Sequence, residues 1–178
     1  PLMRWNVGPK TGDIEAGDFQ DYESFFNAFA AQLCFLADQT CGYNNLLGEA
    51  HQVLRPTPFI SALIEGPMKS GRDVTKGGAL YNSSGTACIG LADITDSLMI
   101  IKKFVFEEKK VSFQELRKAV NTNFKNDPAL LALIKNKAQL FGSGDPEALA
   151  TANRVAKLAH DCFGEHTNYR CLLYTSPS

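Results

Sequence analysis

No apolar run in this chain is long enough to span a bilayer as a helix. Charge of one sign is also missing. The 18 Lys and Arg residues against 19 Asp and Glu give a formal net charge of −1, which removes the electrostatic footprint expected of a partner for nucleic acid or an anionic membrane. Charges are interspersed rather than blocked, and there is no internal repeat or low-complexity tract. Cysteine is sparse and badly spaced for a framework. Cys34, Cys41, Cys88, Cys162 and Cys171 form an odd set without CxxC or Cys/His ligand spacing, so neither a disulfide scaffold nor a zinc site is indicated. They read as reduced thiols in a cytoplasmic protein, with Cys34, Cys41 and Cys162 packing in helices and Cys88 small and inert. No secretory signal peptide is visible at the Pro1 end.

What is present favours helices. With 44% apolar residues over 178 positions, the chain can build the core of one ordinary domain. From Asp21 onward Phe25, Phe26, Phe29, Leu33, Leu36 and Ala37 recur at three and four residues, which gives one apolar face. Asp18 and Asp21 suit the positive end of that helix, which is expected to reach Leu54 with a weak point at Gly42. A second helix is expected from Asp93 to Glu107, with Leu98, Ile101 and Val105 on one side and Asp93 and Asp96 as starting caps. Ser112-Phe-Gln-Glu115 is a capping-box pattern that opens a helix through Asn123. Asp127-Pro128 places a cap before a proline and starts Ala129 to Lys137; Asp145-Pro146 repeats the device ahead of Glu147 to Cys162, where Gly164 is a natural stop. Leu2 to Val7 reads as a helix end entering a Gly8-Pro9 turn.

Between these helices, Arg55 to Gly90 has a different grammar. Pro56 and Pro58 push their preceding residues out of the helical region. A short apolar run, Phe59 to Ile64, ends at Gly66-Pro67. A mixed-charge turn from Lys69 to Lys76 and the pair Gly77-Gly78 lead into Ala79-Leu80-Tyr81, which reads as a brief strand. It opens into the small polar residues Asn82-Ser83-Ser84-Gly85. Short strands that end in polar, glycine-rich loops are how barrel enzymes place groups at a site.

The ordered residues go further than the spacing. Gly8-Pro9-Lys10-Thr11-Gly12-Asp13, Arg55-Pro-Thr-Pro-Phe-Ile-Ser-Ala-Leu63, Gly77-Gly-Ala-Leu-Tyr-Asn-Ser-Ser-Gly85, Gly90-Leu-Ala-Asp-Ile-Thr-Asp-Ser-Leu98 with Lys102-Lys-Phe-Val-Phe-Glu-Glu108, and Thr167-Asn-Tyr-Arg170 together resemble the late barrel of the glycyl radical enzymes, the pyruvate formate-lyase superfamily. The resemblance implies an α/β fold: a helix-rich portion of a ten-stranded β/α barrel, with two or three short strands, over residues 1–170. Residues 171–178 (CLLYTSPS) break the Arg-Gly-Gly pattern expected after Arg170 and are expected to be a non-native tail.

In that superfamily a cysteine in a Gly-Cys-Val-Glu-type loop carries the thiyl radical, and a glycine in an Arg-Val-x-Gly-type loop stores it. None of the five cysteines sits in such a context, so both reactive positions are expected on polypeptide outside this chain and no catalytic residue is assigned within it. The resemblance further implies a glycine radical installed by a separate S-adenosylmethionine-dependent iron–sulfur activase, no bound metal or other cofactor, and a homodimeric parent. Its chemistry is expected to be radical C–X cleavage (lyase or dehydratase) on a small polar substrate such as isethionate. Formate acetyltransferase and fumarate-adding synthase remain alternatives, as does a non-catalytic helical interaction module.

The implied substrate-binding residues are Phe59, Ser61, Tyr81, Asn82, Ser84 and Arg170. Phe59 and Ser61 share strand parity and so would share a face, although Phe59 also suits plain core packing. Asn82, Ser83 and Ser84 would line the barrel mouth, or instead satisfy turn backbone. Arg170 matches the arginine of the Arg-Gly-Gly segment, where a guanidinium could hold a carboxylate or sulfonate. His51, His160 and His166 are far apart in sequence, and Asp161 and Glu165 read as surface charges. Barrel strands stripped of their neighbours would leave open edges, so the isolated chain is expected to fold poorly.

Overall fold

The computed structural model describes residues 19–170. The expected helix end at residues 2–7, the Gly8–Asp13 turn, the Asp18 cap and the tail at 171–178 lie outside the described residues. The described chain is helical: α1 (Tyr22–Leu54), α2 (Pro58–Leu63), α3 (Pro67–Ser70), a 3₁₀ turn (Val74–Lys76), α4 (Leu91–Ile101) continuing as a π-helical segment (Lys102–Glu107), α5 (Phe113–Asn121), α6 (Pro128–Lys137) and α7 (Pro146–Gly164).

Sequence signals account for most of these boundaries. Asp21 Oδ1 accepts the Ser24 amide at 2.7 Å and starts α1, which runs through Gly42 without a break. Ser112 and Glu115 close a reciprocal capping box at α5. Asp145 Oδ1 accepts the amides of Glu147 and Ala148 at the start of α7. Two aspartates behave otherwise. Asp127 makes no side-chain cap, so α6 starts on the fixed φ of Pro128. Asp96 is not a cap of α4 but accepts the Phe141 amide at 2.6 Å.

The expected strands are corrected by the structure. Among the described residues there is no strand, only isolated bridge positions at Gly85 and Thr167. The Phe59–Ile64 run is helix α2: a six-residue apolar run carries no period that separates strand from helix, and Pro58 supplies a helical first residue. Ala79 to Tyr81 is irregular. Asn82 Nδ2 donates to the carbonyls of Gly77 and Ala79 (3.3 and 2.6 Å), bending the chain back on itself where a strand would extend it.

The chain divides into two compact units. The first is formed by residues 19–32 and 89–158. Phe26, Leu98 and Val155 are buried at one centre of it, packed by Phe29, Leu91, Ile94 and Leu158. A second centre holds Phe104, Val111 and Leu116 against Ile101, Leu130, Leu133 and Ile134. The π-helical register turns Phe104 fully inward, at 0% exposure. Tyr22, Phe25, Phe106 and Phe113 stack edgewise and tilted, with centroids 5.0–6.5 Å apart. Arg154 lies 3.6 Å over the Phe26 ring and grips both Glu23 oxygens at 2.9 and 2.7 Å.

The second unit comprises residues 33–88 and 159–170. Its short elements are organised by Asp73. One carboxylate accepts Thr57 N and Oγ1, Ser61 Oγ, and Thr75 N and Oγ1, at 2.6–3.0 Å. These bonds, led by the Thr75 hydroxyl, hold its carboxyl well below the usual carboxylate range. Ser61 Oγ in turn accepts the Val74 amide at 3.0 Å. The unit leaves many large apolar side chains in water, among them Leu47, Val53, Leu54, Phe59, Leu63 and Met68.

Candidate functional site

Helix α1 and the residues leaving α7 form a seam within the second unit. Cys34 is bonded to Cys162, His166 Nδ1 lies 4.0 Å from Asp38 Oδ1, Asn45 Nδ2 donates to the Thr167 carbonyl at 2.9 Å, and the Tyr169 ring packs against Gly48. Successive contacts step along α1 as the other segment advances from 162 to 169. Gly48 is required by this approach: a Cβ there would sit 2.1 Å from the Tyr169 ring. The Cys34–Cys162 bond overturns the expectation that these cysteines are separate thiols; residues 128 apart give no spacing from which to read the pairing.

The seam delivers Arg170 to a cleft of about 640 Å³ whose walls include Thr40, Cys41, His51, Ser84 and Thr86. The guanidinium is held by Nη2, which donates to the Ser83 carbonyl at 2.8 Å and to Ser84 Oγ at 3.0 Å. Asn168, only 3% exposed, ties the same corner together. Its Oδ1 accepts the Arg170 amide at 2.8 Å and its Nδ2 donates to Ser84 Oγ at 2.8 Å. Arg170 Nε is buried and has no partner among the described residues. A guanidinium stays charged at any accessible pH, and a half-buried charge with an unmatched donor favours an anion beside it. Burial, aided by the charge of Asp38, pushes the Cys41 thiol up, which makes it a poor nucleophile.

The six sequence-derived site residues do not form one cluster. Ser84 and Arg170 are joined. Asn82 is spent on turn carbonyls, and Ser61, 7% exposed, belongs to the Asp73 network. Phe59 and Tyr81 are 77% and 89% exposed. Residues two apart on a helix point about 200° apart, so Phe59 and Ser61 lose the shared face that strand parity implied. Asn168 and Asp73 were missed as organisers. Asp73 has a signal in hindsight, an aspartate within reach of the hydroxyls of Thr57, Ser61 and Thr75; Asn168 has none beyond its place next to Tyr169. Among the described residues no group of His, Cys, Asp or Glu is arranged to hold a metal.

Comparison with known proteins places this geometry in a family. The chain is 34% identical over 168 residues to a (2S)-3-sulfopropanediol dehydratase from Klebsiella oxytoca, covering 92% of this chain and 19% of that protein. It is 34% identical over 148 residues to a trans-4-hydroxy-L-proline dehydratase from Clostridioides difficile, covering 83% of the chain and 18% of the relative. The glycerol-bound B12-independent glycerol dehydratase from Clostridium butyricum superposes with a TM-score of 0.86 at 34% identity, over 95% of this chain and 21% of that one. The chain thus spans about a fifth of the length of the curated relatives it matches. The model of a family described as pyruvate formate lyase-like matches residues 1–176. On this match and these relatives, the chain belongs to the pyruvate formate lyase-like family of glycyl radical enzymes.

Proposed function

We propose that residues 1–170 form part of the barrel wall of a glycyl radical lyase or dehydratase that breaks a C–X bond in a small polar substrate bearing an anionic group, such as isethionate. The observation that carries this reading is Arg170, whose charge is fixed by Ser83 and Ser84 at the cleft while Nε lacks a partner among the described residues. A sulfonate or carboxylate would supply the missing acceptor and balance the charge. Dehydratases of a sulfonated diol and of a hydroxylated amino acid among the relatives support an anionic substrate. Ser84 is assigned as a second polar contact. Phe59 and Tyr81 are assigned to an apolar cavity wall completed by further polypeptide. Ser61 and Asn82 act through backbone, by holding Asp73 and the 77–79 turn.

A glycyl radical, installed by an S-adenosylmethionine-dependent activase in a homodimeric cytoplasmic parent, would supply hydrogen abstraction from the bound substrate. The residues of this chain bind and orient: the guanidinium anchors the anion, and fixed polar groups exclude competing water. Titrating the chain with isethionate while following the amide signals of Ser83, Ser84 and Arg170 tests the anion site. Saturable shifts are expected with isethionate and not with ethylene glycol, and Arg170→Met should abolish them. Equal shifts from both ligands, or unchanged shifts in the variant, would refute the assignment.

A further inference from the structure

The Cys34–Cys162 bond stands at the head of the seam that carries Arg170. The two Cα atoms are 5.1 Å apart, within the range a disulfide tolerates. Cys162 is followed directly by Phe163, which lines the cleft, and seven residues beyond Cys34 on α1 lies Cys41, which lines it too. Beyond the bond, the contacts between the 165–170 segment and α1 include the Asn45–Thr167 carbonyl hydrogen bond, the long His166–Asp38 contact and the Tyr169 ring at Gly48. Each of these is weak alone.

We propose that Cys34 and Cys162 are a reversible thiol–disulfide modification site whose oxidant is a low-molecular-weight disulfide, and that its state sets how firmly Arg170 is presented to the cleft. Cys34 is the half-exposed partner and Cys162 is 5% exposed, so the exchange begins at Cys34. Its thiolate attacks one sulfur of the small disulfide. That S–S bond breaks, one small thiol leaves, and a mixed disulfide remains. The Cys162 thiolate then attacks Cys34 Sγ, forming the protein bridge and expelling the second small thiol. Two protein thiols lose two electrons, and the small disulfide is reduced to two thiols. Excess small thiol drives the sequence backwards.

Closing the bond removes freedom from the exit of α7 and stiffens everything downstream to Arg170. Opening it leaves these contacts and the bonds of Asn168 and Arg170 to Ser83 and Ser84 to hold the segment, which then opens more readily as a local unit. Cys41 stays a thiol throughout, because burial and the Asp38 charge both raise its pKa. This site does not depend on which substrate the cleft takes.

The test uses the full chain equilibrated in mixtures of reduced and oxidised glutathione, then read by alkylation with peptide mass mapping and by amide hydrogen exchange. With oxidised glutathione in excess, a linked Cys34–Cys162 peptide should appear, and exchange across residues 165–170 should slow about tenfold or more. Both changes should reverse with reduced glutathione and be absent in Cys34→Ser. The proposal is overturned if the pair stays alkylatable under oxidation, if the bridge survives excess reduced glutathione, or if exchange at 165–170 is equal in the two states. Should Cys34→Ser fail to fold, the unmodified chain compared in its oxidised and reduced states decides the matter by the same readings.

Discussion

Two glycines on one helix offer a sharp test of the seam. Gly42 and Gly48 both lie inside α1. A Cβ added at Gly42 meets nothing within 4 Å, whereas one at Gly48 would lie 2.1, 2.2 and 2.6 Å from three atoms of the Tyr169 ring. Alanine in a helix interior gains roughly 0.5–1 kcal/mol over glycine through backbone entropy. Gly42→Ala should realise that gain, raising Tm by about 1–4 °C for a chain of this length. Gly48→Ala gains the same amount but must displace the ring, and overpacking of this kind costs about 1–3 kcal/mol. The net effect runs from about zero to a loss of roughly 2.5 kcal/mol. Asn168, anchored to Ser84, stops the backbone from simply moving away. Displacement should therefore spread to Arg170 and weaken its bonds to Ser83 and Ser84. Thermal denaturation of both variants beside the parent, with ring and amide signals of Tyr169 and Arg170, reads both effects. If Gly48→Ala raises Tm as much as Gly42→Ala and leaves the Tyr169 signals in place, the seam as described is wrong.

Other perturbations follow from the same reasoning. Phe104→Ala should destabilise the first unit by about 3–5 kcal/mol in urea titration, because Phe104 is fully buried; Phe59→Ala, at 77% exposure, should change stability by less than about 0.5 kcal/mol. Asp73 has a folded pKa below its unfolded value of 3.8, so its contribution is fully present above that value and is lost as pH falls through the folded pKa. Protection of the amides across residues 57–78, taken relative to their intrinsic exchange rates, should fall in acid, and Asp73→Asn should lower that protection at neutral pH and flatten its acid dependence. Replacing Leu54, Phe59 and Leu63 by Ser should shift the isolated chain towards a monomeric scattering mass, since each is more than 70% exposed; an unchanged mass would remove the exposed helical faces as the cause of association.

The extent to which the fold was legible in sequence depends on whether the deciding interaction is local. Helix starts at Asp21, Ser112 and Asp145 were readable because each cap bonds amides two or three residues away. The α1 periodicity held over its buried positions, Phe26 and Ala37, although Leu36 is half exposed. The two strand expectations failed where a distant or turn-making group intervened. Thr57 at the start of α2 is fastened by Asp73, 16 residues on, and Asn82 bends the Gly77–Ala79 segment by side-chain bonds that imitate a turn. Neither short segment had length enough to impose a period of its own.

The site follows the same division. Ser84 and Arg170 could be picked from ordered residues that resemble a family, yet their direct bond is braced by Asn168, and Arg170 is delivered by a seam from Cys34 to Gly48 closed over separations of more than a hundred residues. Strand parity brought Phe59 and Ser61 to one face. Helical geometry sends Ser61 to Asp73 and leaves Phe59 in water. Phe59 and Tyr81 stay exposed, and Arg170 Nε finds no partner among the described residues, so neither feature is explained by a short-range pattern in the sequence.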